Sequence, residues 1–182
     1  MPHIDLPPGL PGILGPMAFR PETAEPLNQL AEILLRGDST LTRGERELIA
    51  TSVSAGNDCF FCTNAHATFA KLQLEGGQAV VDAVRADPAT APVSPKLKAL
   101  LAIAGKVRVG GQEVTGEDIA TARRAGATDL ELHDTVLIAA AFCMFNRYVD
   151  GLATWAPTDQ AAYDANGARI VADGYVGSVP GI

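Results

Sequence analysis

The stretch Asn57 to His66, NDCFFCTNAH, holds Cys59, Cys62 and His66. The chain has three cysteines and three histidines in 182 residues, so half of these side chains crowd into this one short stretch. On a helix of 3.6 residues per turn, Cys62 follows Cys59 by one turn and His66 follows by another, on the same face. Two thiols so placed can close a disulfide, provided the first turn supplies the short Cα separation a bridge needs. The thiolate, not the thiol, attacks a peroxide or a disulfide. A helix N-terminus favours the thiolate, and a neighbouring histidine can take its proton. Glu47 stands twelve residues before Cys59. With a tight turn at Ala55-Gly56-Asn57 its helix folds back, and the carboxylate reaches the imidazole to orient it and stabilise the imidazolium. Attack on a hydroperoxide would leave a sulfenic acid, which the second cysteine condenses to a Cys59–Cys62 disulfide. Phe60 and Phe61, between the thiols, would limit water access or help place an organic hydroperoxide.

Other chemistries compete for the same residues. A closed tetrahedral zinc site needs four ligands. Cys59, Cys62 and His66 supply three and Glu47 a fourth, but the sequence has no second CxxC and no HxxxH. A CxxC also arises by chance. A redox sensor with negligible turnover would use the same pair.

The elements that must position these groups are helical. Thr23 to Arg36 carries Leu27, Leu30, Ile33, Leu34 and Leu35 and stops at Gly37. Thr42, with Glu45 three residues on, is an N-cap with capping-box spacing for a helix ending at Gly56. Asn57 or Asp58 caps the next helix, which carries the motif to about Leu74. Gly76-Gly77 breaks it, and Gln78 to Arg85 is short. Ser94 caps Lys96 to Val109, with Pro95 at the first position. Thr115 caps a helix closed by Gly126, and Thr128-Asp129 opens the longest one, to about Gly151. Thr158 to about Ala172 forms a last helix before an irregular Gly-rich end. KVRVGGQEV is the only tempting hairpin. The pattern predicts an all-α fold of seven or eight helices, with the pair spanning 42–74 echoed by 115–151. Residues 1–22, with Pro at 2, 7, 8, 11, 16 and 21, are expected as an extended arm across an apolar surface of this domain or a neighbouring subunit. Residues 23–182 are expected as a single helical domain.

Bulk composition narrows the function. Hydrophobic residues make up 47% and charged residues 19%, which is globular. The formal charge is −7, without a Lys/Arg run, which excludes a phosphate-tracking nucleic-acid surface. The opening has no basic n-region, and Val136 to Phe145 is too short to span a bilayer. A cytoplasmic protein is expected, where a close cysteine pair is catalytic or metal-binding rather than a structural staple.

The run ERELIATSVSAGNDCFFCTNAH resembles the active-site signature of the alkyl hydroperoxidase D and carboxymuconolactone decarboxylase-like superfamily. Glu47, Cys59, Cys62 and His66 match its Glu–x11–Cys–x2–Cys–x3–His spacing. The stretch ending in Asn146, Arg147, Asp150, Gly151 and Leu152 resembles the C-terminal half of its peroxidase-related branch. The resemblance covers roughly residues 20 to 155. It implies an AhpD-like all-α bundle, homo-oligomers (often trimers or hexamers), and thiol peroxidase activity using a thiol or disulfide reductant and no resident cofactor or metal. It also implies Cys62 as the peroxidatic cysteine, Cys59 as resolving partner, and Glu47 with His66 as proton relay. The residues alone leave that split open: the helix dipole favours Cys59, while His66, four residues from Cys62, favours Cys62. The best-known peroxidases of the family carry an extra His between the cysteines, where this chain has Phe61. The decarboxylases proper lack the CxxC pair, which argues against decarboxylation.

The remaining candidates read as structural. Cys143, in an apolar helix, is expected as a small core residue. His133 is expected at the surface or an interface, and His3 belongs to the arm. Arg147 and Asp150 have ion-pair spacing, and with Asn146 are expected to serve structure or subunit contact. Trp155 and Tyr148 are expected to cover the end of their helix or to contact a partner chain.

Overall fold

Threonine and serine hydroxyls start the helices that carry the core. In the computed structural model, which describes residues 1–176, the side chains of Thr42, Ser94, Thr115 and Thr128 each accept from the backbone N–H three residues on. The three threonines form full capping boxes with Glu45, Asp118 and Glu131. A cap of this kind contributes about 1 kcal/mol.

The elements are α1 (Leu14–Phe19), α2 (Pro21–Arg36), α3 (Arg43–Gly56), α4 (Phe60–Lys71), α5 (Gly77–Ala86), α6 (Pro95–Val109), α7 (Gly116–Arg124), α8 (Asp129–Gly151) and α9 (Gln160–Asp173). A single 3₁₀ turn spans Gly111–Glu113. No strand occurs among the described residues, so KVRVGGQEV forms the end of α6 and the 3₁₀ turn instead of a hairpin.

The N-terminal arm is not wholly extended. Pro16 is the third residue of α1 and Pro21 the first of α2. Both rings lie in a first turn, where the amide has no intrahelical acceptor to lose. The arm packs on its own domain: His3 N–H donates to the Leu152 carbonyl at 3.0 Å and Gly12 N–H to the Trp155 carbonyl at 2.8 Å. Gly12 has φ +54°, and a Cβ there would lie 2.2 Å from the Phe61 ring. Only glycine lets the chain pass so close to that aromatic.

The core centres on α3, which packs most extensively on α4 and also against α8 and α6. Leu48, Ile49 and Val53 are wholly buried between these helices. Each such side chain contributes about 1.5–3 kcal/mol through burial. The α3–α4 and α7–α8 junctions use the same device. In each, a left-handed residue (Asp58, Gly126) follows the helix, and the next N–H reaches back to a carbonyl of the last turn, Cys59 to Ser54 and Ala127 to Ala122. The α9 helix closes over α4.

Candidate active site

The Asp58 turn sets the position of the first thiol. Asp58 adopts φ +58°, which a short polar side chain tolerates. The chain then reverses within a residue, and Cys59 becomes the N-cap of α4. Cys59 thus precedes the helix rather than lying on its stripe as expected; Asn57 caps the end of α3. Cys62 falls in the first turn and His66 one turn later. Both thiols are buried and unbridged.

Glu47 projects from α3 into the same region and is 1% exposed. Its Oε2 lies 2.7 Å from His66 Nδ1, as the spacing predicts. Its Oε1 accepts from the Tyr175 hydroxyl at 2.5 Å. Burial and the Glu47 charge push the Tyr175 phenol well above its ordinary range, so it stays a protonated donor. The imidazole is wedged edge-on against Phe142 and Phe69, at centroid distances of 4.5 and 5.1 Å, and lies nearly parallel to the Tyr175 ring. Its second nitrogen has no hydrogen-bond partner among the described residues.

Sequence reasoning passed over Tyr175, which lies in the segment read as irregular. That segment is anchored here: Tyr175 N–H donates to Glu32 Oε2 at 2.7 Å, and Glu32 pairs with Arg36 at 3.1 Å. Arg36 also donates to the Ile170 and Val171 carbonyls at the end of α9. A lone tyrosine among glycines was the only local signal.

Of the α8 residues expected in structural or subunit-contact roles, Asn146 and Asp150 act on the thiols as well. Asn146 is 1% exposed, accepts from Asn57 Nδ2 at 2.9 Å and donates to Ser54 Oγ at 3.0 Å. Hydrogen bonding to Cys59 and burial push the Cys62 thiol well above its ordinary range, while the Asn146 side chain acts in the opposite direction. Burial raises the Asp150 carboxyl, and a hydrogen bond from Cys59 partly offsets this. The Arg147–Asp150 ion pair does not form; Arg147 donates to the Cys143 carbonyl at 2.9 Å. Cys143 is half-buried, with Asn57 Nδ2 3.5 Å from its sulfur. His133 is exposed, as expected, and Trp155 is also largely exposed.

Cys62 and His66 open on a cavity of about 70 Å³. Its walls are mainly apolar, with Ile13, Met17, Phe61, Phe142 and Ile170 among them. Phe61 is the buried member of the pair between the cysteines; Phe60 points to solvent. Cys59 does not line the cavity. Among the described residues no three His, Cys, Asp or Glu side chains converge to hold a metal ion. Glu47, the expected fourth zinc ligand, is committed to His66 and Tyr175.

The all-helical bundle sets an acid on one helix against a Cys-x-x-Cys and His on the next, and the chain is similar to proteins of the alkyl hydroperoxidase D and carboxymuconolactone decarboxylase-like superfamily. Residues 21–106 match the carboxymuconolactone decarboxylase family. The fold is similar to the alkylhydroperoxidase AhpD core of an uncharacterized peroxidase-related protein from Ralstonia eutropha JMP134, at TM-score 0.76 and 29% identity over 86% of this chain and 80% of that one. It is likewise similar to an uncharacterized peroxidase-related protein from Silicibacter sp. TM1040, at TM-score 0.76 and 27% identity over 85% of this chain and 78% of that one. No curated protein matches the chain.

Proposed function

We propose that the protein is a thiol-dependent hydroperoxidase. The observation that carries this is the shared apolar cavity onto which Cys62 and His66 open, with Glu47 locked on the far nitrogen of the imidazole. A thiol held above its ordinary range by its neighbour and by burial needs a base at the moment of reaction, and His66 is placed to be that base. Glu47 then stabilises the imidazolium. The Cys62 thiolate attacks the outer oxygen of ROOH, the O–O bond breaks, and the alkoxide takes the proton from His66 to leave as ROH. Cys62 is now the sulfenic acid. Cys59 attacks its sulfur, the S–O bond breaks, and the Cys59 proton, relayed by Asp150, reaches the departing hydroxyl, so that water leaves as the Cys59–Cys62 disulfide forms. An external dithiol reduces the disulfide and is itself oxidised, so no bound cofactor is required. Cavity access supports Cys62 as the attacking thiol and Cys59 as the resolving one, against the helix dipole, which favours Cys59.

The apolar residues Leu130, Val136, Leu137 and Met144 remain exposed along α8. They support a homo-oligomer, a trimer or hexamer in this reading, which sedimentation analysis of wild type and Leu137→Glu would test. A cytoplasmic setting would supply the reducing dithiol. No helix of the described residues is long and apolar enough to cross a membrane.

The raised Cys62 thiol and the absence of a histidine between the cysteines favour one second reading, a redox sensor with the same disulfide and little turnover. Peroxide consumption under a regenerating dithiol, followed with mass spectrometry of the Cys59–Cys62 peptide, separates the two. Sustained turnover abolished by Cys62→Ser supports the peroxidase; a disulfide that forms once per chain with negligible turnover supports the sensor. Turnover undiminished in Cys62→Ser would exclude both.

A further inference from the structure

The cavity above the thiol is not uniformly apolar. Asn28, on α2, is 8% exposed, lines the cavity, and its side-chain amide makes no hydrogen bond among the described residues. Its amide is accessible from the cavity and free to bond a ligand that enters. Asn166 and Arg169, on α9, line the same cavity. Arg169 donates one hydrogen bond to Asn166 Oδ1 at 2.7 Å and forms no salt bridge among the described residues.

The other charges near the cavity are already matched. Glu32 pairs with Arg36, and Glu47 is held by His66 and Tyr175. Among the described residues no Asp or Glu lines the cavity, and Arg169 is its only Lys or Arg. A guanidinium carries five donors in a planar fork suited to a carboxylate, and most of Arg169's are uncommitted. The polar groups come from α2 and α9, while the thiol and imidazole come from α4. Apolar walls join the two sets.

We infer that the cavity is a binding site for an amphiphilic organic acid, with its carboxylate on Arg169 and the amides of Asn28 and Asn166 and its aliphatic body against the apolar walls. In the hydroperoxidase reading, on which this rests, the substrate is a carboxylated alkyl hydroperoxide rather than hydrogen peroxide. Its chain spans from the guanidinium to Cys62.

The test separates binding from catalysis. Hexanoate and 1-hexanol are titrated into the reduced full-length protein by calorimetry. Hexanoate is expected to bind at least about tenfold more tightly than 1-hexanol, the scale of a partly exposed charge-assisted hydrogen bond. Arg169→Gln is expected to erase that difference while leaving 1-hexanol binding within about twofold, and Arg169→Lys to retain part of it. Asn28→Leu, which leaves the charge in place, is expected to weaken hexanoate alone and serves where Arg169 variants fold poorly. Equal binding of the two ligands in wild type, or loss of both together in Asn28→Leu, overturns the assignment. Anion-selective binding without turnover of any hydroperoxide would sink the catalytic reading and leave the site standing. Turnover of tert-butyl hydroperoxide with no gain in KM for a carboxylated analogue would do the reverse.

Discussion

The Tyr175 hydroxyl and Glu47 Oε1 meet at 2.5 Å across 128 residues of sequence, on the opposite side of the carboxylate from His66. A buried carboxylate with a partner on each oxygen is fixed in orientation. Without the phenol, its charge would be compensated by the imidazole alone. Tyr175→Phe keeps the ring against His66 and removes only that donor. The carboxylate then loses one of its two donors and its fixed orientation toward the imidazole. A loss of about tenfold in kcat/KM is expected, the scale of one hydrogen bond. Undiminished kcat/KM would reduce Tyr175 to a packing residue.

Glu47→Gln preserves shape and removes the charge that stabilises the imidazolium. The expected loss is about 10²-fold in kcat/KM, within the range for general acid–base groups. The same variant should slow alkylation of Cys62 by iodoacetamide. Unchanged alkylation would show that proton transfer from this thiol does not depend on the acid.

The Asp150 carboxyl is influenced by Cys59, so it should act after oxygen transfer rather than before it. Asp150→Asn is expected to slow disulfide closure while leaving sulfenic acid formation unchanged. Trapping with a dimedone reagent would then label more Cys62 than in wild type. Equal labelling would argue that Cys59 resolves the intermediate unaided.

Acid sensitivity is expected from Glu131. Burial alone would raise this carboxyl, but the Lys96 ammonium, the Thr128 backbone N–H and the Thr40 hydroxyl overcome it and hold it at about 2. The folded value lies below the ordinary 4.5, so the associated stability is complete above about pH 4.5 and is lost as pH falls toward 2. Chemical denaturation of Glu131→Gln at neutral pH should show a loss of about 2–3 kcal/mol and a flatter acid dependence.

Alkaline conditions should destabilise the site by the opposite sign. Cys62 and Tyr175 are both raised above their ordinary values of 9.0 and 10.0, the first by Cys59 and burial and the second by burial and Glu47. Their neutral forms are favoured in the fold. That contribution is whole below pH 9 and declines as pH rises through the folded values. Cys62→Ala should reduce the alkaline dependence of the denaturation midpoint.

Much of this protein could be read along the chain, because the signals involved are local. Capping boxes at Thr42, Thr115 and Thr128 depend on side chains three residues apart, and the helix period places Cys62 and His66 on one face. Even the Glu47–His66 contact is near-local, since a single turn joins its two helices. Cys59 escaped that logic: the left-handed Asp58 turn moved it from the helix to its cap. Proline also misled at α1, where position within the first turn matters more than residue type.

What only the tertiary structure decided are the contacts between distant segments. Tyr175 on Glu47, Asn146 and Asp150 beside the thiols, and Asn28 with Arg169 around one cavity all join residues far apart in sequence. No periodicity encodes such pairings. They follow from how α8 and α9 pack on the α3–α4 hairpin, which is set by the summed burial of many side chains rather than by any short motif.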